Sequence, residues 1–123
     1  MSTELTAAGY KNLREAIQAR WLYVSIRNSS DAEIVRLEIA EDARCTWQDN
    51  GTPNPTVLEI ALSADDVDLS GSLPLTIAGT KLFVGSTGGD SLSEDTFANA
   101  TLASADPADT LTITHNIQVP EIT

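Results

Sequence analysis

The spacing of apolar residues changes once along this chain, at Trp21, and no other feature of the sequence constrains the fold so strongly. Before that point Tyr10, Leu13, Ile17 and Trp21 recur at intervals of three, four and four, which lines them along one side of a helix. Thr6 stands where an N-cap belongs, and Leu5 is placed to meet Tyr10 as a hydrophobic staple. Lys11, Arg14, Glu15 and Gln18 fall away from the apolar stripe, with Lys11 and Glu15 one turn apart. The spacing predicts a helix over about residues 6–20.

After Trp21 the period is two. Leu22, Val24 and Ile26 alternate with Tyr23, Ser25 and Arg27, and Val35, Leu37 and Ile39 alternate with Arg36 and Glu38. Asn28-Ser-Ser-Asp31 supplies a turn between these two segments, so a hairpin is expected. Arg44–Trp47 reads as a short strand before Asp49–Pro55, a stretch dense in strand breakers. Thr56–Leu62 is a further strand, followed by the acidic turn Asp65-Asp-Val-Asp68. Leu73–Ile77 and Lys81–Val84 read as two short strands separated at Gly79, with Pro74 suited to an edge. Gly85–Ser91 is expected to be the most mobile loop, and Thr96–Leu102 another strand. The clearest alternation comes last, with Leu111, Ile113, His115, Ile117 and Val119 on one face. One helix and six to eight short strands predict a mainly β, α+β fold. The expected form is an N-terminal helix packed on an antiparallel sandwich or open barrel, with a β-rich region over 21–119. A length of 123 residues fits a single domain over 1–123.

A net charge of −11 argues against a groove for nucleic acid. The charge is also lopsided. Residues 1–44 hold six of the seven basic groups and sum to −1, whereas residues 45–123 hold only Lys81 against eleven acids and sum to −10. One reading is a solubilising acidic surface; the sharper one is a docked N-terminal part and an acidic remainder facing solvent. The sharper reading makes Arg14, Arg20, Arg27 and Arg36 candidate interface residues, together with Trp21 and Trp47 as aromatic anchors. No apolar run reaches the roughly 18 residues needed to span a bilayer, and Met1–Thr6 has no signal-peptide pattern. Synthesis in a reducing cytoplasm without membrane insertion is therefore expected.

Little in the sequence can carry catalysis. His115 is the only histidine and Cys45 the only cysteine, so no catalytic residue, metal site or cofactor is expected. Asp66-Val-Asp68-Leu-Ser70-Gly71 resembles the first half of a calcium loop, but Ile77 stands where the bidentate glutamate belongs. Adjacent carboxylates such as Glu41/Asp42 and Glu94/Asp95 read as solvated surface. The glycines from Gly85 to Gly89 are not followed by Lys-Ser/Thr or a helix, so a phosphate loop is not expected.

Four segments carry a family resemblance: Leu5-Thr-Ala-Ala-Gly9 leading into an amphipathic helix; the strand Trp21–Ile26; Gly79-Thr-Lys-Leu-Phe-Val-Gly85; and Phe97–Leu102 leading to Asp109–Ile117. In this order they resemble small structural proteins of tailed bacteriophage virions, of the tail-fibre or head-decoration kind. Asn28–Asp31 departs from the glycine-rich stretch that such proteins often carry after the first strand. The resemblance implies a non-enzymatic virion part, associated with a tail fibre or appendage, whose partners are other virion proteins and copies of itself. A capsid decoration protein is the alternative within that class. From a different class, a small carbohydrate- or ligand-binding β module would use Trp21 or Trp47 as a stacking platform.

Overall fold

The computed structural model describes residues 5–48 and 55–118. It contains helix α1 (Ala7–Arg20) and, among the described residues, strands β1 (Tyr23–Arg27), β2 (Glu33–Glu38), β3 (Cys45–Trp47), β4 (Thr56–Ser63), β5 (Leu75–Phe83), β6 (Ser93–Leu102) and β7 (Thr110–Ile117). The strands form two antiparallel sheets, one ordered β2-β1-β5-β6 and the other β3-β4-β7. The fold is the expected mainly β, α+β sandwich with a helix at its N-terminal end. Its core is the interleaf between the sheets, where Val24 and Ile26 of β1 and Ile77 and Leu82 of β5 join Leu58 and Ile60 of β4, all fully buried. Each such side chain is stabilising by roughly 1.5–3 kcal/mol relative to exposure.

Helix α1 starts where the sequence places it, with Thr6 Oγ1 accepting from Gly9 N at 3.1 Å. Its inward face differs from the predicted stripe. Tyr10 and Arg14 are buried, Ile17 and Trp21 pack on the core, and Leu13 is turned out at 43% exposure. Tyr10 and Arg14 are one turn apart, and so are Ile17 and Trp21, so the buried line runs beside Leu13 rather than through it. Arg14 was expected on the solvent side; at 3% exposure it is no surface contact. Gln18, expected away from the apolar stripe, donates to Thr56 Oγ1 at 2.6 Å and ties the helix to the start of β4. Leu5 is 48% exposed and lies beside Gly9.

The hairpin β1–β2 forms as predicted. Asn28 Oδ1 accepts from the backbone of Ser30 and Ala32 at 2.9 Å each, closing the turn. The outer face of this sheet is less open than the alternation implied, because Ser25 is fully buried. Ser25 lies in register between Arg36 of β2 and Lys81 of β5, and its hydroxyl accepts from Arg27 Nη1 at 3.1 Å. Arg36 also stacks 3.8 Å over the Phe83 ring and donates to the carbonyls of Gly85 and Gly88 at 3.0 Å. The loop expected to be most mobile is therefore pinned at two carbonyls by one guanidinium.

The two short strands expected on either side of Gly79 are one continuous strand, β5. Glycine is needed there for space rather than for a turn. A Cβ on Gly79 would stand 2.8 Å from the Asp95 carbonyl oxygen of β6. The β5–β6 ladder shifts at this point, pairing Ile77 with Ala100 and then Gly79 with Thr96. The breaker-rich stretch 49–55 lies outside the described residues apart from Pro55, and Val119 lies outside them too.

Gly79→Ala should therefore destabilise the fold by about 1–3 kcal/mol through forced backbone displacement. Gly71→Ala, with nothing within 4 Å of the added carbon, should stay within about 0.5 kcal/mol of the parent. Urea unfolding of both variants checks this.

Candidate functional site

His115, on the inner face of β7, is fully buried between the sheets. Its Nδ1 lies 2.6 Å from Thr80 Oγ1 on β5, and its Nε2 lies 2.8 Å from Ser93 Oγ on β6. A neutral imidazole donates from one nitrogen and accepts at the other, so this ring joins both sheets with both nitrogens used. Burial holds its pKa below the ordinary histidine value, against a smaller upward pull from Asp95. Cys45 is equally committed to structure. It is buried at the start of β3, and burial pushes its thiol up to about 12. A thiol so protonated is a poor nucleophile near neutral pH.

The acidic turn after β4 is organised around Arg44. Its guanidinium meets Asp42 Oδ2 at 2.7 Å, Asp66 Oδ2 at 3.1 Å and both Asp68 oxygens at 2.8 Å. The oxygens that suggested half of a calcium loop are thus turned toward a cation supplied by the chain. Ile77, at the would-be twelfth position, is buried in the core. Hydrogen bonding to Arg44 holds the Asp42 and Asp68 carboxyls below the usual range. These contacts also raise the guanidinium's own pKa, with Asp42 the largest cause. Nothing in the sequence singled out Arg44, since the alternation of polar residues gives no pairing across 22 or 24 positions.

The basic residues proposed as one interface do not lie together. Arg14 is buried and Arg20 is exposed at the helix end. Arg27 and Arg36 lie on the outer face of the first sheet, already engaged: Arg27 bonds Asp31 Oδ1 at 3.3 Å, and Arg36 bonds Glu33 Oε1 at 2.7 Å. Lys81 shares that face and contacts Asp31 at 2.8 Å. A groove of about 330 Å³ over Gly79 runs among these residues, and its charges largely neutralise one another.

The two tryptophans are brought together. Both are half-buried, and with Gln18, Leu22, Ile39 and Cys45 they line a cleft of about 120 Å³ between the end of α1 and β3. Leu22 at its rim is 38% exposed. Their separation in sequence gave no sign of this meeting. A larger groove, about 420 Å³, follows the seam between β6 and β7 and is lined by Phe97, Ala100, Leu111 and Ile113 among others. No family model, curated protein or solved structure matches this chain.

The partly exposed Arg44 contacts and the buried His115 bridge each make stability depend on pH. Replacing Arg44 by Met leaves three partly exposed carboxylates without their shared cation and should cost about 1 kcal/mol at neutral pH. That deficit should shrink as pH falls through the carboxylate range, because protonated acids no longer need the cation. Denaturant titrations at neutral and acidic pH measure both. For His115 the folded pKa is the lower one, so the unfolded chain binds the proton first as pH falls below about 6.5. Stability is then full above that pH and declines below it, before the carboxylates titrate. His115→Gln should flatten this part of the stability–pH curve.

Proposed function

We propose that this chain is a non-enzymatic structural part of a tailed-bacteriophage virion, associated with a tail fibre or appendage, and that it docks to other virion proteins and to copies of itself. The observation that carries the assembly reading is where apolar surface is left over once the core is complete. Of the exposed large apolar side chains, Leu5, Leu13 and Leu22, at 48%, 43% and 38% exposure, belong to the helix and its immediate flanks, and Leu22 shares a cleft with the half-buried Trp21 and Trp47. Exposed apolar side chains along one element, with two indoles and Leu22 grouped at its end, favour a protein contact. The absence of catalysis is supported by the two groups best suited to it: His115 has both nitrogens committed to the hydroxyls of Thr80 and Ser93, and the Cys45 thiol is held protonated.

The virion form of this reading rests on the resemblance of the four sequence segments, and the antiparallel sandwich is compatible with it. A capsid decoration protein fits the acidic surface as well, so copy number decides between the two locations. A ligand-binding module is favoured by one observation, the meeting of two indoles in one cleft. At about 120 Å³ the cleft holds a ring or one side chain, well below the roughly 300 Å³ of common small-molecule sites.

Quantitative mass spectrometry of purified virions tests the proposal. A few to a few dozen copies per particle are expected. Hundreds would move the protein to the capsid surface, and absence from the particle would overturn the virion assignment.

A further inference from the structure

We propose that His115 is the latch of an acid-opened flap: protonation of its ring releases the first part of β6, Ser93–Thr96, from the sandwich while the rest of the fold stays closed. The pH dependence derived above fixes how stability shifts. This inference names the part that moves, and it does not depend on what the chain assembles with.

Ser93–Thr96 is built as a separable piece. Its four residues pair with Leu82, Lys81, Thr80 and Gly79, and the ladder then shifts before resuming at Ala100 and Ile77. The loop over 84–92 bounds it on the other side. Among the described residues β6 ends its sheet, so β5 is its ladder partner there. Ser93, Glu94, Asp95 and Thr96 bring no apolar side chain, and none of the four is buried. A segment with so little apolar burial opens at lower cost than the fold as a whole. Glu94 is held from the solvent side, by Lys81 at 3.6 Å and by the Ser91 hydroxyl at 2.5 Å. Exposed contacts of this kind contribute little. The tie on the inner side is the Ser93 hydroxyl against His115 Nε2 at 2.8 Å.

The ring responds to a proton because of what surrounds it. A neutral imidazole accepts from one hydroxyl and donates to the other. Protonated, it donates at both nitrogens, so the hydroxyl that had given its proton must turn it elsewhere. The charge also forms in a buried site, which is costly unless water reaches it. On β4 its register partner is Leu58, while Glu59 of β4 and Lys81 of β5 point to the opposite faces of their strands. Strand β7 carries no other ionisable side chain. On β6 Glu94 faces Lys81, and Asp95, opposite Thr80, is the one acid whose field reaches the ring. Asp95 lines the groove between β6 and β7, as do Ile113, Thr114 and Asn116 around His115. Lifting Ser93–Thr96 therefore brings water from that groove to the ring by a short path. Opened, the imidazole titrates near its ordinary value, whereas closed it takes a proton only at lower pH. Opening is thus favoured as pH falls below about 6.5.

Hydrogen–deuterium exchange of the full chain at pH 7.5 and 5.5, followed residue by residue by NMR and corrected for intrinsic exchange, tests this. Both values lie above the ordinary carboxylate range. Protected amides of Ser93–Thr96 should show opening constants up to about tenfold larger at pH 5.5. Those of Tyr23–Arg27 in β1 should have opening constants smaller by roughly tenfold or more at either pH, since global unfolding is what frees them. His115→Gln should remove the pH dependence at Ser93–Thr96. Opening constants there that equal those of β1, or that do not change with pH in the parent, would overturn the flap, and the parent alone decides this if the variant does not fold. A variant that keeps the parent's rise in acid would overturn His115 as the latch.

Discussion

The rest of the structure depends on the aliphatic interleaf between the two sheets. Seven strands among the described residues give two inner faces, and the fully buried Val24, Ile26, Leu58, Ile60, Ile77 and Leu82 fill the space between them. This burial is nondirectional, so it holds the sheets together without fixing their alignment. Directional groups supply that. His115 reaches from β7 to hydroxyls on β5 and β6, and Gln18 links the helix to β4. No buried side-chain nitrogen or oxygen among the described residues lacks a partner, as a core without conformational ambiguity requires.

A second constraint is the scarcity of cations, seven against eighteen acids. The fold uses several of them to shape its own surface. Arg27, Arg36 and Lys81 lie on the outer face of the first sheet, paired with Asp31, Glu33 and Glu94, while Arg44 ties Asp42, just before β3, to Asp66 and Asp68 of the turn after β4. Arg20 and Lys11 are exposed on the helix, Arg20 directly before Trp21 of the indole cleft. The compositional asymmetry thus corresponds to something physical. It marks cations committed inside an acidic body rather than one basic docking face.

What the sequence made legible follows from how local each signal is. Strand β7 was readable because its alternation is unbroken from Leu111 to Ile117, and the β1–β2 hairpin because Asn28 closes its own turn. Thr6 places the helix start correctly, but apolar spacing alone picks the wrong inward face. An apolar count favours Leu13 over Arg14, whereas a long stem beside Tyr10 can be buried with its charge satisfied. Gly79 looked like a break because glycine is ambiguous in a strand; only the neighbouring Asp95 carbonyl reveals why no side chain fits. The Arg44 turn and the Trp21–Trp47 cleft were invisible for a different reason. Both join residues from separate elements, which periodicity cannot bring together.

The central claim is the proposal that the helix end with its indole cleft is a surface for assembly. Hydroxyl-radical footprinting of the chain, free and within purified virions, tests this most directly. The account predicts that oxidation at Trp21 and Trp47 falls on assembly, while the threonine-rich outer face of β7, at Thr112 and Thr114, reacts equally in both states. Protection of the β7 face with unchanged labelling of the tryptophans would contradict it.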